Sequence, residues 1–518
     1  MPSTDAHRPL DVSAPPHPAE LLARWPKDEP LAALVSGGEL GTHNGWSIFA
    51  RPRETVVIPA SASAEEARSI LASALARTPR LDSANVARRG QAQSDALNDE
   101  SHTRTSPFDG GWIVALGYGL GSVFEPAAPA RLPRDAPLAV LHWCLDAWIF
   151  DHASGALTAV GSPPKLAEPG LKLAEPGLKL AEPGPNAPSS APSSPAPSSP
   201  SDRAWELSSL SCEPNDAGFA AKVARTVEYI RAGDAFQANI ARRFSAEFRG
   251  CPRTFAHAAI RANNAWFGAA IDLPNGGALV SMSPESFLRV YPDGAIVTRP
   301  IKGTRPTSTD PRELLESDKD AAELAMIVDL MRNDLGRVAE IGSVEVTTAR
   351  VLETHVTVHH GVAEVRARLA PQVDWLELLA ATFPPGSVTG APKVRAMQII
   401  DELEPTPRGF YCGAMGFIAR SGHAALNVAI RTAQLGAASA DGVRTVAYHA
   451  GCGIVVESSP ADEVAETHAK TRALARLVAP AEHNEPTKLN QPAKTNQFEA
   501  PAPRERGSTT SARPISGR

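Results

Sequence analysis

The stretch RPIKGTRP, residues 299–306, sets a lysine between an apolar residue and a glycine, with two arginines and two prolines around it. A lysine in such company is either a charge in a structural ion pair or a nucleophile. Its ε-amine attacks carbon only when held neutral, by removal from water or by nearby cations such as Arg299 and Arg305. Lys302 is therefore the first candidate for chemistry.

Four acids are the second. Asp320 and Glu323 stand three residues apart in SDKDAAELAMIVDLMRNDLGRV, as do Glu463 and Glu466 in ADEVAETHAK, with Lys470 one turn beyond. Residues i and i+3 share a helix face, so each segment projects a pair of carboxylates. Facing each other, the pairs would hold a hard divalent cation. Magnesium suits them, because it takes oxygen ligands and keeps water or substrate oxygens in the rest of its octahedron. Acid pairs in helices are more often a solvated face or a capping charge, so the surrounding sequence has to decide.

Three further stretches could meet an anion. In TFPPGSVTGAPKVRAMQIIDELEP, Gly386 and Gly390 bracket Ser387 and Thr389 ahead of a helix entered through Pro392. Small residues feeding a helix N-terminus expose amides and hydroxyls, although the spacing is not that of a Walker loop and an ordinary loop fits as well. In YHAGCGIVVESSP, Gly451 and Gly453 flank Cys452, and Arg431 interrupts the apolar run NVAIRTAQL. A buried arginine needs an anionic partner, either a structural carboxylate or a substrate.

The elements that must position these residues lie in a chain of 518 residues, long enough for two to four units. Its 51 basic and 57 acidic residues include no basic tract, which excludes nucleic acid as a partner. The N-terminus has no secretory pattern, and no apolar run approaches about 20 residues, so the expectation is a soluble, cytoplasmic protein with no membrane partner. Five cysteines, widely spaced and without a CxxC pair, indicate neither a disulfide framework nor a zinc site.

Composition draws the boundaries. Residues 1–19 read as a disordered N-terminus, 20–160 as an N-terminal region of extended segments such as GGWIVALGYGLG and APLAVLHWCLDAWIF, and 206–479 as a larger block that mixes helices with strands. Between the two regions, 161–205 carries KLAEPGL repeats and then Pro/Ser/Ala, which cannot bury enough apolar surface to order itself. The tail 480–518 and the polar stretch 85–107 read likewise. In the larger block, DAGFAAKVARTVEYIRAGD has helical periodicity, and GALVSMSPESFLRVYPDGAIVTRP reads as strands with a PDG turn. Ser459 as N-cap, Pro460 at the first helical position and Asp462 three residues after the cap predict a C-terminal helix. Strands and helices alternate without a strict βαβ rhythm, so the fold class is mixed α/β or α+β and not a doubly wound parallel sheet.

Taken in order, SPESF, PIKGTRP, MIVDLMRNDLGRV, GSVTGAPKVRAMQIIDELEP and ADEVAETHAK resemble the chorismate-utilising enzymes. These include component I of anthranilate synthase and of aminodeoxychorismate synthase, isochorismate synthases and salicylate synthases. The resemblance covers about 212–479 closely and the N-terminal region more loosely, through FDGGWIVALGYGLG. It implies a large sandwich of antiparallel or mixed sheets with helices outside, and Mg2+ held by Glu323 and Glu466 with Glu463 and Asp320 close by. It places Arg431, Tyr411, Thr389, Lys470 and the backbone at Gly451 and Gly453 on the carboxylates and enolpyruvyl arm of chorismate. Gln237, Thr304, His360 and Gly390 complete the pocket.

Two positions separate the branches. Members that activate water carry a lysine base where this sequence has Gln237, and glutamine takes up no proton, which disfavours isochorismate and salicylate synthesis. Anthranilate and salicylate synthases look like PIAGT or PLAGT, whereas aminodeoxychorismate synthases have PIKGT, as here. The resemblance thus implies Lys302 adding at C2 of chorismate, Glu285 of SPESF as general acid, and ammonia entering at C4, on the way to p-aminobenzoate and folate. The alternatives are anthranilate synthesis or a non-catalytic paralogue. Nothing in the chain resembles a glutaminase or a pyridoxal-phosphate lyase, so a separate glutaminase subunit would supply glutamine amide nitrogen. A clear LLES motif is absent, Cys452 stands where a glycine is common, and Gly361 follows His360 where a leucine is common.

Overall fold

The computed structural model describes residues 17–36, 45–78, 106–134, 136–167, 205–354 and 358–478. Most of the repeat and Pro/Ser segment (168–204), the tail, the first sixteen residues and most of the polar stretch 85–107, all expected to be disordered, lie outside the described residues. Two of the compositional boundaries fall within packed chain. Ala19 is fully buried ahead of the short helix Glu20–Arg24. Residues 161–167 run over the fold: Trp148 Nε1 donates to the Pro164 carbonyl at 2.9 Å, and the Ala167 amide to the Arg24 carbonyl at 2.9 Å. Proline-rich composition hides this because the stabilising partners come from distant strands.

Every ladder between described strands is antiparallel. From Ala32–Val35, one arm of the sheet passes through Trp46–Ile58, Ala139–Asp151, Gly111–Leu116, Ala414–Ala419 and Ala424–Val428. It continues through Ser286–Val290 and Ala295–Arg299 to Val358–Arg368, which also carries Ile301–Pro306 and Glu345–Thr354. The other arm passes through Phe267–Asp272, Ala278–Ser283, Thr432–Leu435 and Val443–Ile454 to Gln237–Gly250. The 20–160 and 206–479 regions therefore share one sheet, and all described residues fall in one compact unit.

Alternation along the strands builds the layers. In Gly111–Leu116, Ile113 and Ala115 join residues of the other arm, such as Ile271 and Leu279, in the core between the arms. Trp112, Val114 and Leu116 face outward into a second core shared with the helices Ala64–Leu75, Asp318–Gly336 and Lys393–Leu403. A third core lies between the other arm and the helices Pro252–Asn263 and Pro460–Val478. This is the α+β sandwich with external helices that the motifs imply.

Local signals set the two acid-bearing helices. Ser317 caps Asp318–Gly336, accepting from the Asp320 amide at 3.2 Å. Pro460 opens Pro460–Val478, where its missing N–H is no loss. All five cysteines are free, and no helix among the described residues is long and apolar enough to cross a membrane.

Candidate active site

Lys302 lies opposite Gly361 and Thr304 opposite His360, so Gly303 is an extra residue in the ladder, a bulge with φ +77°. A Cβ on Gly303 would stand 3.0 Å from Asp320 Cγ and overlap Leu314, so only glycine lets the strand press against the start of the 318–336 helix. That contact brings the lysine to the acids. Lys302 is half-buried, and its charge acts on Glu285, Glu323 and Glu466 together. The cations expected to press on it are discharged elsewhere. Arg299 pairs with Glu353 at 2.5 Å and Glu364 at 3.2 Å, and Arg305 with Asp320 at 2.8 Å. Carboxylates, not arginines, make up the field at Lys302.

Glu285 precedes the strand Ser286–Val290 and is buried, its Oε1 without a hydrogen-bond partner. Burial raises its pKa; the Ser387 hydroxyl and the Lys302 charge pull the other way without cancelling the shift. The protonated carboxyl is thereby favoured, which is the state a general acid needs.

The acids divide into two groups. Among the described residues, donor atoms of Cys452, Glu463 and Glu466 all lie within 4.8 Å of one another. Glu463 accepts from Ser458 Oγ at 2.7 Å through one oxygen and buries the other, Oε2, without a partner. Glu466 is half-exposed and receives Lys470 Nζ at 2.7 Å; its partial desolvation would raise its pKa, but Lys470, with Lys302 and Lys319, holds it below the usual carboxylate range. Glu323 stands outside the trio, 4.0 Å from Lys319 Nζ, and burial, with Asp320 and Glu466, raises its pKa. Asp320 lies at the start of the same helix, its Oδ2 accepting from Arg305 at 2.8 Å.

The remaining wall comes from Gln237–Gly250, Val443–Ile454 and the 386–392 turn. Gln237 is fully buried with neither amide atom partnered, and a Cβ on Gly453 would stand 2.6 Å from its Nε2. Gly451 has equally little room, a Cβ there standing 2.6 Å from the Ile240 carbonyl oxygen, and its own carbonyl accepts from Lys470 Nζ at 2.7 Å. Gly390, with φ +144°, packs on the Gln237 backbone. The Thr389 hydroxyl is turned into its own loop, at 3.2 Å from the Gly386 carbonyl oxygen. Arg431 adopts φ +50° between strands, and its charge presses on Lys470 and Tyr448, so two cations share one neighbourhood. Thr304 is exposed and engages His360 Nδ1 at 2.8 Å.

Tyr411 is buried and stacks on His449, centroids 5.3 Å apart. Sequence reasoning did not single out His449, although its place two residues before Gly451 puts it on that glycine's face of the strand. Its ring is buried, and burial, with Arg408 and Arg243, depresses its pKa to about 3 against a backbone hydrogen bond at Pro407. Among the described residues, Gln237, Glu285 and Glu463 thus each bury a side-chain polar atom without a hydrogen-bond partner. A cavity of about 650 Å³ lies elsewhere, over the outer side of the 318–336 helix, where Lys393 binds Asp334 at 2.5 Å.

Residues 47–476 match the family described as chorismate binding enzyme. The chain is 36% identical over 480 residues to aminodeoxychorismate synthase component 1 of Klebsiella aerogenes, covering 89% of this chain and 97% of that protein. It is 39% identical over 393 residues to anthranilate synthase component 1 of Streptomyces coelicolor, covering 73% and 74%. The crystal structure of anthranilate synthase component I from Streptococcus pneumoniae TIGR4 superposes with a TM-score of 0.62 at 27% identity, covering 84% of this chain and 93% of that one.

Proposed function

The chain belongs to the chorismate-binding enzymes, and from that premise we propose that it aminates chorismate at C4, giving 4-amino-4-deoxychorismate, with ammonia from a separate glutaminase subunit. The observation that carries this reading is the half-buried Lys302 amine acting on Glu285, Glu323 and Glu466 at once.

In the proposed reaction Lys302 first gives up its ammonium proton to solvent; its lone pair then forms a bond to C2, both ring double bonds shift by one position, and the C4–O bond breaks. Glu285 gives its proton to the departing hydroxyl, which leaves as water. The new secondary ammonium returns a proton to the Glu285 carboxylate, and ammonia then adds at C4. The double bonds return, and the C2–N bond breaks as Lys302 takes up the proton released by the incoming nitrogen and leaves as the neutral amine. Double displacement of this kind directs nitrogen to C4, whereas direct attack would place it at C2.

The donor set fits a hard divalent ion, since Glu463 Oε2 is buried and unpartnered beside Glu466. Glu463 and Glu466, with Glu323 nearby, would hold Mg2+, which would neutralise a carboxylate of the substrate. Lys470 and Arg431 would take the remaining negative charge, and Gln237, with no basic nitrogen, leaves water unactivated there.

Incubation of the purified protein with chorismate, Mg2+ and an ammonium salt, followed by mass analysis, tests the reading. A non-fluorescent product in which NH2 replaces OH, absent with Lys302→Ala, is expected. Fluorescent anthranilate would overturn it in favour of the activity named in the Streptomyces coelicolor relative.

A further inference from the structure

Cys452 belongs to the strand Val443–Ile454, is 1% exposed, and points toward the C-terminal helix, its Sγ 3.5 Å from the Glu463 carbonyl oxygen. It shares a 4.8 Å neighbourhood with one oxygen each of Glu463 and Glu466. A thiol beside two acids carries little by itself. The independent observation is Glu463, which is 5% exposed, held by Ser458 through Oε1, and left with Oε2 buried and unpartnered. A buried carboxylate oxygen without a donor is costly unless something positive completes it.

We propose that Cys452 adds a sulfur donor to the carboxylates of Glu463 and Glu466, so that this site takes thiophilic divalent ions, zinc foremost, in competition with magnesium. The inference rests on the acids being an ion site, as read above, and adds what this chain's own thiol does there. Magnesium requires oxygen donors in near-ideal octahedral geometry and gains nothing from sulfur. Zinc accepts a mixed set of sulfur and oxygen in a tetrahedron, with Zn–S about 2.3 Å and Zn–O about 2.0–2.2 Å. Donors 4.8 Å apart or closer reach those distances with small side-chain movements. On binding, the thiol proton leaves to solvent and the ion takes the sulfur lone pair, with no oxidation. Glu466 exchanges Lys470 for the ion, which frees that amine and disturbs its bond to Gly451. Zinc at this site would therefore inhibit the enzyme by displacing magnesium.

The test uses the full-length protein titrated with Co2+ and, in parallel, with Mn2+ followed by electron paramagnetic resonance. Co2+ on wild type should give the near-ultraviolet sulfur-to-cobalt band, and Cys452→Ser and Cys452→Gly should lose it. Competing Zn2+ should bind the two variants about tenfold or more weakly, while Mn2+ binding, which needs only oxygens, changes little. If Mn2+ binds wild type but Co2+ gives no such band, or if the band survives in both variants, the sulfur donor is refuted and the ion site stands. If neither ion binds wild type, both are refuted. Should the Cys452 variants fail to fold, loss of the band in Glu463→Gln supports the proposal, and its persistence there overturns it.

Discussion

Gly361 lies directly across the ladder from Lys302, and a Cβ at residue 361 would stand 2.6 Å from the Lys302 carbonyl oxygen. The glycine therefore sets how deeply the lysine strand sits. Gly361→Ala should lower kcat about 10–100-fold through misplacement of the amine, with a stability loss of about 1–3 kcal/mol from overpacking. Steady-state amination and urea denaturation measure the two, and an unchanged kcat would show that the strand's position is not critical.

Glu285 yields a pH signature. Its carboxyl is raised above the unfolded value by burial, so the folded state holds the proton more tightly. Stability on this account is greatest below the ordinary carboxyl range, declines as pH rises through the interval up to the raised value, and is flat beyond. Glu285→Gln should unfold at higher urea than wild type at pH 8 but not at pH 4, and its kcat should fall about 10²–10⁴-fold. Equal urea midpoints at both pH values would count against a protonation-linked burial.

Lys302 places a positive charge among acids that would hold a cation, and so opposes the ion. Lys302→Met should abolish C4 amination yet bind Mn2+ more tightly, by about threefold to tenfold, in keeping with roughly 1 kcal/mol of Coulomb repulsion removed. A titration showing weaker Mn2+ binding would place the amine away from the acids.

Asp146 is a purely structural counterpart. Its fully buried carboxylate accepts from Arg51 and Arg53 at 2.8 Å each and from the Ser162 amide at 2.8 Å. Burial alone would raise its pKa, but these donors hold it far below the usual carboxylate range, so its stabilisation is present above the unfolded value and lost as pH falls. Because Arg51 and Arg53 are partly solvated, Asp146→Asn should cost about 1–3 kcal/mol at pH 7, less than a fully buried pair. It should also expose the 161–167 segment to limited proteolysis, and an unaltered cleavage pattern would mean that the segment is held by Trp148 and Arg24 alone.

Much of this was legible in the residues. Helical periodicity gave Asp216–Arg231 and Asp318–Gly336, the PDG turn reappears with Gly294 at φ +79°, and Pro460 opens its helix. What escaped are pairings between segments remote in sequence. Nothing local shows that Arg305 will claim Asp320, or that Ser458, and not Ser459, will bind an acid of the last helix. The burial that raises Glu285 likewise comes from packing that no five-residue motif contains.

The pairing of Gly111–Leu116 with Ala414–Ala419 sets a timetable for biosynthesis. A strand translated early cannot complete its ladder until residue 414 has cleared the ribosome, so an apolar edge waits unpaired through most of translation. Chaperone demand in this protein should accordingly persist until the 414–419 strand emerges.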